Sequence, residues 1–256
     1  MLKKLAVFLL ILSSILTLSA CNSNASKETT PVTVEDSNSE QIKLDVVVSF
    51  DAMREFVEAV GKDKVNVQSI IPNGTEPHNF TPKASDLELL SAAKLFVYSG
   101  MGMESSWVDK TLGAIENSDL VVVEAAQGIT PIKLTDPEAI KEEGEFDPHV
   151  WLSLKNAEIE ALNIKEALIK VDPSNETFYE ANYTEFYDQL ETLYNDYTPK
   201  FSSLENKNFV TGHAAFGYLC REFGLNQNSV EDVFASGEPS AKKLRELVEY
   251  LSLIHI

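Results

Sequence analysis

Short β-branched runs alternate with helical stretches through most of the chain. The runs are apolar, four to seven residues long and bounded by polar or glycine residues, which is typical of strands. They are 44–50, 65–71, 95–98, 120–124, 208–211 and 225–230. Helical spacing of apolar positions predicts helices over 52–60, 85–93, 106–115, 154–170, 175–204 and 214–223, and a last one that Glu238-Pro239-Ser240 opens and that runs to about 251. Alternating strands and helices predict an α/β fold with a largely parallel sheet.

Local signals mark several of the helix ends. Asp51 is a predicted cap for the first helix, and Gly61 is expected to end it. Ser85-Asp86-Leu87-Glu88 has the spacing of a capping box. Asp172-Pro173-Ser174 gives a cap and a proline suited to the start of a helix. The helix that follows is longer than most in globular domains, and it is expected to run to about Leu204 or to a break near Pro199.

The first 42 residues are not expected to belong to the fold. Residues 1–20 carry Lys3 and Lys4, then an apolar run over 5–18, then small residues, which is typical of a secretory signal and short for a membrane span. Leu18-Ser19-Ala20-Cys21 resembles the lipobox of bacterial lipoproteins, which implies that Cys21 is lipidated after cleavage. An ordinary cleaved signal with an incidental cysteine is the alternative. Residues 21–42 are expected to be a flexible, lipidated tether.

The chain is strongly acidic, with a formal net charge of −19 over 256 residues. This balance argues against nucleic acid or an anionic membrane surface as a partner, because both need basic patches. Acids are concentrated before His149. Six of them lie between residues 136 and 147, against one lysine: Asp136, Glu138, Glu142, Glu143, Glu145 and Asp147, with Lys141. The segment is interpreted as a solvated loop, with a weak electrostatic funnel for a cation as the alternative.

Two tripeptides, Glu76-Pro77-His78 and Asp147-Pro148-His149, repeat the order acid, proline, histidine, with an aromatic residue two positions beyond. A proline disfavours the helical region for the residue before it, so each acid should be extended and on the same side as its histidine. Metal-binding imidazoles commonly donate their other ring N–H to such a carboxylate. The repeat therefore favours two metal ligands, each with an orienting acid, over two ordinary surface histidines.

A third histidine, His213, follows a predicted strand and precedes a helix. In open α/β sheets ligands bind at that end of the strands, although a lone histidine there is often only a packing residue. Three neutral imidazoles suit zinc. Their spacing is too long for a local finger, so the fold would have to assemble the site.

Several linked motifs, in the right order, resemble the zinc-binding branch of the metal-binding lipoproteins of bacterial ABC importers. The resemblance covers about 44 to 250. The matching segments are 47–50, Gly74-Thr75-Glu76-Pro77-His78 with Pro82, Ser85 and Asp86, 93–100, Asp147-Pro148-His149-Val150-Trp151-Leu152, Thr211-Gly212-His213-Ala214-Ala215-Phe216-Gly217-Tyr218 and Glu238-Pro239-Ser240.

The resemblance implies two α/β lobes joined by a single long helix, with metal in the cleft between them. Residues 43–172 would form the first lobe, 173–204 the connecting helix and 205–256 a partial second lobe. The family's second lobe continues beyond position 256, so we expect this lobe to be incomplete.

The family's three metal-binding histidines map onto His78, His149 and His213. An imidazole at position 213 favours zinc, because manganese-binding relatives have a carboxylate there. An acidic fourth ligand belongs to the part of the family's second lobe that lies beyond 256, so Glu76, Asp147 or water are candidates for that position. His255, close to the end, is a poor candidate.

The implied function is capture of extracellular Zn(II), as transported ligand, by a monomer that is lipid-anchored at the outer face of the bacterial cell membrane, and delivery to an ABC permease. No enzyme activity is expected. Alternatives are transport of manganese or another divalent metal and a role as a surface adhesin. A zinc hydrolase, with three histidines and an open water position, is a further alternative, but no His-Glu-x-x-His motif supports it.

Overall fold

The computed structural model describes residues 42–135, 137, 140, 144–235 and 240–254. The predicted signal, Cys21 and the tether up to residue 41 lie outside these residues. Within the described part, no helix is long and apolar enough to cross a membrane.

A four-stranded parallel sheet forms the centre of the segment from residue 42 to residue 172, which is called the first half of the chain below. Its strands are β1 (Leu44–Val48), β2 (Val65–Ser69), β3 (Leu95–Tyr98) and β4 (Val121–Glu124), in the spatial order β2-β1-β3-β4. Val46 pairs with Val67 on one side and with Leu95 on the other. Parallel neighbours require crossover connections, and helices supply them here. The predicted α/β class is therefore confirmed.

Seven helices have bounds close to those predicted. They are α1 (Asp51–Gly61), α2 (Ala84–Ala92), α3 (Val108–Ala114), α4 (Leu154–Val171), α5 (Glu176–Ser202), α6 (Gly217–Phe223) and α7 (Ala241–Ile254). Single 3₁₀ turns lie at Lys62–Lys64, Val150–Leu152 and Pro173–Asn175. The core of the first half is formed by the sheet and its covering helices, with Val48, Met53, Phe96 and Leu168 fully buried. Burial of such side chains, each worth roughly 1.5–3 kcal/mol, holds helices and sheet together.

Two of the predicted caps are corrected by the structure. Asp51 does not cap α1 but is its first residue, and it forms an ion pair with Arg54 one turn later. Helix α2 begins one residue before the predicted Ser85. Its box is closed by Asp86, which accepts a hydrogen bond from the backbone N–H of Lys83 at 2.7 Å. Asp51 thus contacts a side chain instead of the helix backbone, and in α2 Asp86 takes the place that the spacing predicted for Glu88.

The long helix α5 connects the first half of the chain to the second. Its first half packs on α1 and α4, and the Asn182 side chain donates to the carbonyl of Val60 at 2.9 Å. Further along, Tyr194 and Phe201 contact Phe223 of α6, with ring centroids 5.7 and 4.9 Å apart. The helix runs through Pro199 without a break there, although a proline inside a helix lacks the N–H for one backbone hydrogen bond.

The second half of the chain, which follows α5, contains a two-stranded parallel sheet. Its strands are β5 (Asn208–Thr211) and β6 (Asn226–Ser229). Helix α6 begins at Gly217 rather than at the predicted Ala214. Residues 212–216 instead form a turn, in which Ala214 N–H donates to the carbonyl of Asp232 at 3.1 Å. The turn carries His213 away from the end of β5.

The carboxyl groups of Glu104 and Glu160 are fully buried. Glu104 accepts hydrogen bonds from the backbone N–H groups of Ser99 and Gly100, both at 3.0 Å, and so closes the turn after β3. Burial raises the pKa of Glu104 to about 7 despite these donors. Burial also raises the pKa of Glu160, and the charge of Glu104 adds to that effect.

The buried Glu104 predicts that stability depends on pH. Its folded-state pKa lies above the unfolded value, so the folded protein binds more protons between about pH 4.5 and 7 and the free energy of unfolding falls as pH rises through that window. The loss amounts to about 3 kcal/mol. Glu104→Gln should remove this part of the pH dependence in urea unfolding at pH 5 and pH 8.

Exposed Glu88→Gln, on α2, is the matched control and should keep the wild-type pH dependence. An unchanged difference between the two pH values in Glu104→Gln would contradict the prediction.

Candidate metal centre

His78 lies on the irregular segment between β2 and α2. Two turns shape this segment, with Thr75 N–H donating to Pro72 at 3.0 Å and Phe80 N–H to Pro77 at 3.3 Å. Phe80 packs against Trp107, with ring centroids 6.2 Å apart. The His78 side chain is only 4% exposed, and its ring contacts those of His149, His213 and Phe234.

His149 lies between Pro148 and the 3₁₀ turn at Val150–Leu152, and it is 3% exposed. The carboxylate of Asp147 accepts from the His149 backbone N–H at 3.0 Å and faces its ring Nδ1 at 2.9 Å. The carboxylate thus lies on the side of its histidine, as the spacing predicts. It favours the tautomer with a proton on Nδ1, which leaves the Nε2 lone pair free for a metal.

Glu76 differs from Asp147 in what it contacts. Its Oε1 accepts from the backbone N–H of His78 at 3.2 Å and lies 3.9 Å from His78 Nε2. The two tripeptides are therefore not equivalent. Asp147 contacts the outer nitrogen of its histidine, whereas Glu76 lies near the inner nitrogen, on the side where a metal would bind.

His213 is held by backbone contacts in the turn after β5. The side chains of Thr211 and Gln227 both donate to the carbonyl of His213, at 2.7 and 3.0 Å. Gln227 also contacts the hydroxyl of Thr211. These bonds fix the histidine's backbone and leave its imidazole to point toward the other two.

The structure brings the three imidazoles together from positions 71 and 64 residues apart. Nε2 of His149 lies 3.2 Å from Nε2 of His78 and 3.3 Å from Nε2 of His213, and one nitrogen of each ring lies within 4.8 Å of the others. Zinc–nitrogen bonds of about 2.0–2.1 Å at tetrahedral angles separate two ligand nitrogens by about 3.3–3.4 Å. The arrangement therefore fits three nitrogen ligands of one tetrahedral ion.

Burial keeps the imidazoles of His78 and His213 in the neutral form that binds metal. It lowers the pKa of His78 to about 4, with a further lowering from His149. Burial likewise lowers the pKa of His213, followed by the effect of His149. Metals require neutral imidazole, and depressed pKa values keep these rings neutral at physiological pH.

Helix α6 contributes two contacts that sequence reasoning did not predict. Tyr218 Oη donates to the carbonyl of Asp147 at 2.8 Å and accepts from the backbone N–H of Ile132 at 3.1 Å. Gly217 lies so close to Asp147 that a Cβ there would be 2.5 Å from Oδ2. Both residues belong to the segment that follows His213, but nothing in their spacing indicated a role for them.

Several of the predicted features cannot be placed. Cys21 and His255 lie outside the described residues. The same holds for most of the acids proposed as a cation funnel, and for Glu238 and Pro239.

Gly217→Ala should weaken metal binding, because the new Cβ would push the Asp147 carboxylate away from His149. Loss of an outer partner of a ligating histidine typically costs roughly 10–100-fold in affinity. Isothermal titration with Zn(II) measures the effect. Gly113→Ala on α3, where a Cβ meets nothing within 4 Å, is the matched control, and equal affinities for the two variants would contradict the prediction.

Proteins with similar sequences are named for metal binding or zinc uptake. Residues 46–253 match the family model of ZnuA, the periplasmic component A of the zinc-uptake complex. A protein of Treponema pallidum (strain Nichols) that is named for metal binding is 46% identical over 216 residues, 81% of this chain and 68% of its own length. The high-affinity zinc uptake system protein ZnuA of Bacillus subtilis (strain 168) is 34% identical over 257 residues, 98% of this chain and 78% of its own.

Solved structures show the same relationship. The crystal structure of the Zn(II)-bound ZnuA-like domain of Streptococcus pneumoniae AdcA superposes with a TM-score of 0.70 at 32% identity. The match covers 84% of this chain and 76% of that one. The family model alone spans most of the sequence and includes all three clustered histidines. The chain therefore belongs to the ZnuA family, zinc-uptake complex component A.

Proposed function

We propose that this protein captures Zn(II) outside the cell through His78, His149 and His213, and delivers it to an ABC permease for import. The observation that carries the proposal is the cluster of three imidazole nitrogens within 4.8 Å of one another, in which both distances from His149, 3.2 and 3.3 Å, fit a tetrahedral ion. Membership of a zinc-uptake family supports the same cargo.

The donor set favours zinc over manganese. Imidazole is a good ligand for zinc, whereas carboxylate and carbonyl oxygens suit manganese and magnesium. His213 supplies a nitrogen from the second half of the chain, where an oxygen ligand would shift the preference toward manganese. The Asp147 contact to Nδ1 of His149 adds to the basicity of that ligand.

Glu76 is our candidate for the fourth ligand. Its Oε1 lies on the same side as the imidazole nitrogens, 3.9 Å from His78 Nε2, and its side chain is half exposed. Asp147 is engaged with His149 and packed against Gly217, so it serves as an orienting group rather than a ligand. A water molecule is the alternative occupant of the fourth position.

Capture and release require no covalent step, and the residues around the site bind and orient rather than react. We assign 43–172 to a first lobe, 173–204 to the connecting helix and 205–256 to a partial second lobe. Helix α5 supports this division, because it packs on α1 and α4 and ends near α6.

We further propose that the protein acts as a monomer at the outer face of the membrane, anchored by a lipidated Cys21 through a flexible tether. The support comes from the sequence, where a short apolar segment ends in small residues directly before the cysteine. Several acyl chains on one cysteine would give a stable anchor.

His213→Ala should lower Zn(II) affinity by more than roughly 100-fold, because it removes a proposed ligand. Loss of a residue that only orients a ligand typically costs roughly 10–100-fold. Stoichiometry and affinity are measured by metal analysis and by competition with a chelator. His255→Ala, the variant of the fourth histidine in the chain, is the control and should bind like the wild type. One zinc held with unchanged affinity by His213→Ala would overturn the proposed site.

Glu76→Gln should lower Zn(II) affinity by roughly tenfold, since it replaces a negative oxygen donor by a neutral one of the same size. Exposed Glu116→Gln serves as the control for the change in overall charge. Wild-type affinity in Glu76→Gln would assign the fourth position to water instead.

A further inference from the structure

We propose that Phe234 is a positioning residue that closes the zinc site from the second half of the chain and slows zinc release. The inference rests on the proposed function and adds to it a residue that is not a ligand. Its ring lies 5.7 Å from the ring of His78, centroid to centroid, at an interplanar angle of 78°. This edge-to-face contact links the segment after β6 to the segment after β2.

The burial of Phe234 is unusual for its place in the chain. It lies on an irregular segment after β6, yet it is 3% exposed. An aromatic ring on a loop is buried only where a partner surface receives it. Here the neighbour in ring contact is one of the three clustered histidines.

The backbone just before Phe234 is hydrogen-bonded to the turn that contains His213. Glu231 N–H donates to the carbonyl of Gly212 at 2.8 Å, and the carbonyl of Asp232 accepts from Ala214 N–H at 3.1 Å. These bonds involve the residues directly before and after His213. The side chain of Asp232 then accepts from Phe234 N–H at 3.0 Å. The position of Phe234 is therefore set relative to one ligand while its ring packs on another.

The residue after Phe234 has a strained backbone conformation. Ala235 has φ of +51°, in the left-handed region that side chains other than glycine rarely adopt. Such a conformation persists only where the surrounding structure compensates for it, and it often lies at a functional site. The burial of the adjacent Phe234 is a contact that offsets this cost.

Other contacts between the two halves involve Asp147 and Thr130. Tyr218 and Gly217 hold Asp147, and Arg221 donates to the carbonyl of Thr130 at 3.1 Å. Those contacts fix His149. Among the described residues, α6 gives His78 no such clamp. The ring of His78 meets the second half at Phe234 and at His213, with ring centroids 5.7 and 6.2 Å away, and Phe234 is the one of these two that is not a proposed ligand. Removing the Phe234 ring should therefore free His78 and open a path for water to the ion.

The test is the rate of zinc dissociation from Phe234→Ala, followed by stopped flow with an excess of chelator. We expect release to be roughly 2- to 10-fold faster, the factor that corresponds to loss of one edge-to-face aromatic pair. The association rate should change little. Phe234→Tyr should restore the slow release, because it keeps the ring.

The Co(II) form gives a second measurement that reports on the ligands directly. Its visible absorption should change in Phe234→Ala, because the orientation of His78 changes, and should return in Phe234→Tyr. Phe209→Ala is the matched control. That ring lies on β5 in the same half of the chain and contacts Phe216, so general loosening of this half would affect both variants.

Wild-type release and an unchanged Co(II) spectrum in Phe234→Ala would overturn the inference. Equal effects in Phe209→Ala would overturn it as well, since they would show a loss of packing only. Failure of the proposed function is distinguishable, because it requires that His213→Ala retain wild-type zinc binding. Phe234 can fail as a positioning residue while the three histidines still bind zinc.

Discussion

The hydrogen bond between Asp147 and His149 is the contact on which the metal centre depends. It joins a fully buried carboxylate to a buried imidazole, and the same carboxylate also accepts from the histidine's backbone. His149 is the central member of the cluster, within 3.3 Å of both other inner nitrogens. A rotation of the His149 ring would move its Nε2 away from the other two nitrogens. The acid that sets this orientation therefore determines whether the three histidines form one site.

The surroundings of Asp147 explain why the two halves of the chain need each other. Helix α6 approaches the carboxylate through Gly217, and Tyr218 binds the Asp147 carbonyl. Helix α5 brings α6 to this place by aromatic packing on Phe223. The second half therefore contributes not only the proposed ligand His213. It also holds Asp147, the acid that orients His149. On our proposal, it closes the site through Phe234 too.

Zinc transport requires binding that is selective yet reversible. Buried imidazoles with lowered pKa values are neutral and ready to bind, so proton competition is small at physiological pH. The clamp on His149 and the ring contact on His78 then have different consequences. The contacts of Asp147 hold His149 between α4 and α6. The ring contact on His78 involves two irregular segments, which can move without unfolding a helix or a strand. On our proposal, zinc leaves the site on the side of His78, where the segments that carry His78 and Phe234 can separate.

The sequence by itself determined the α/β class, the order of the helices and strands, and the three histidines. Apolar runs and helical spacing are local properties, and the acid–Pro–His repeat limits the backbone of its own residues. Sequence reasoning could not distinguish the two tripeptides, since Glu76 and Asp147 have the same local pattern. Only the tertiary structure decided that Asp147 contacts the outer nitrogen of its histidine while Glu76 lies near the inner one. The same is true of Gly217, Tyr218 and Phe234, whose partners lie at least 70 residues away. Contacts at such separations depend on how the halves pack, and no periodicity along the chain records that packing.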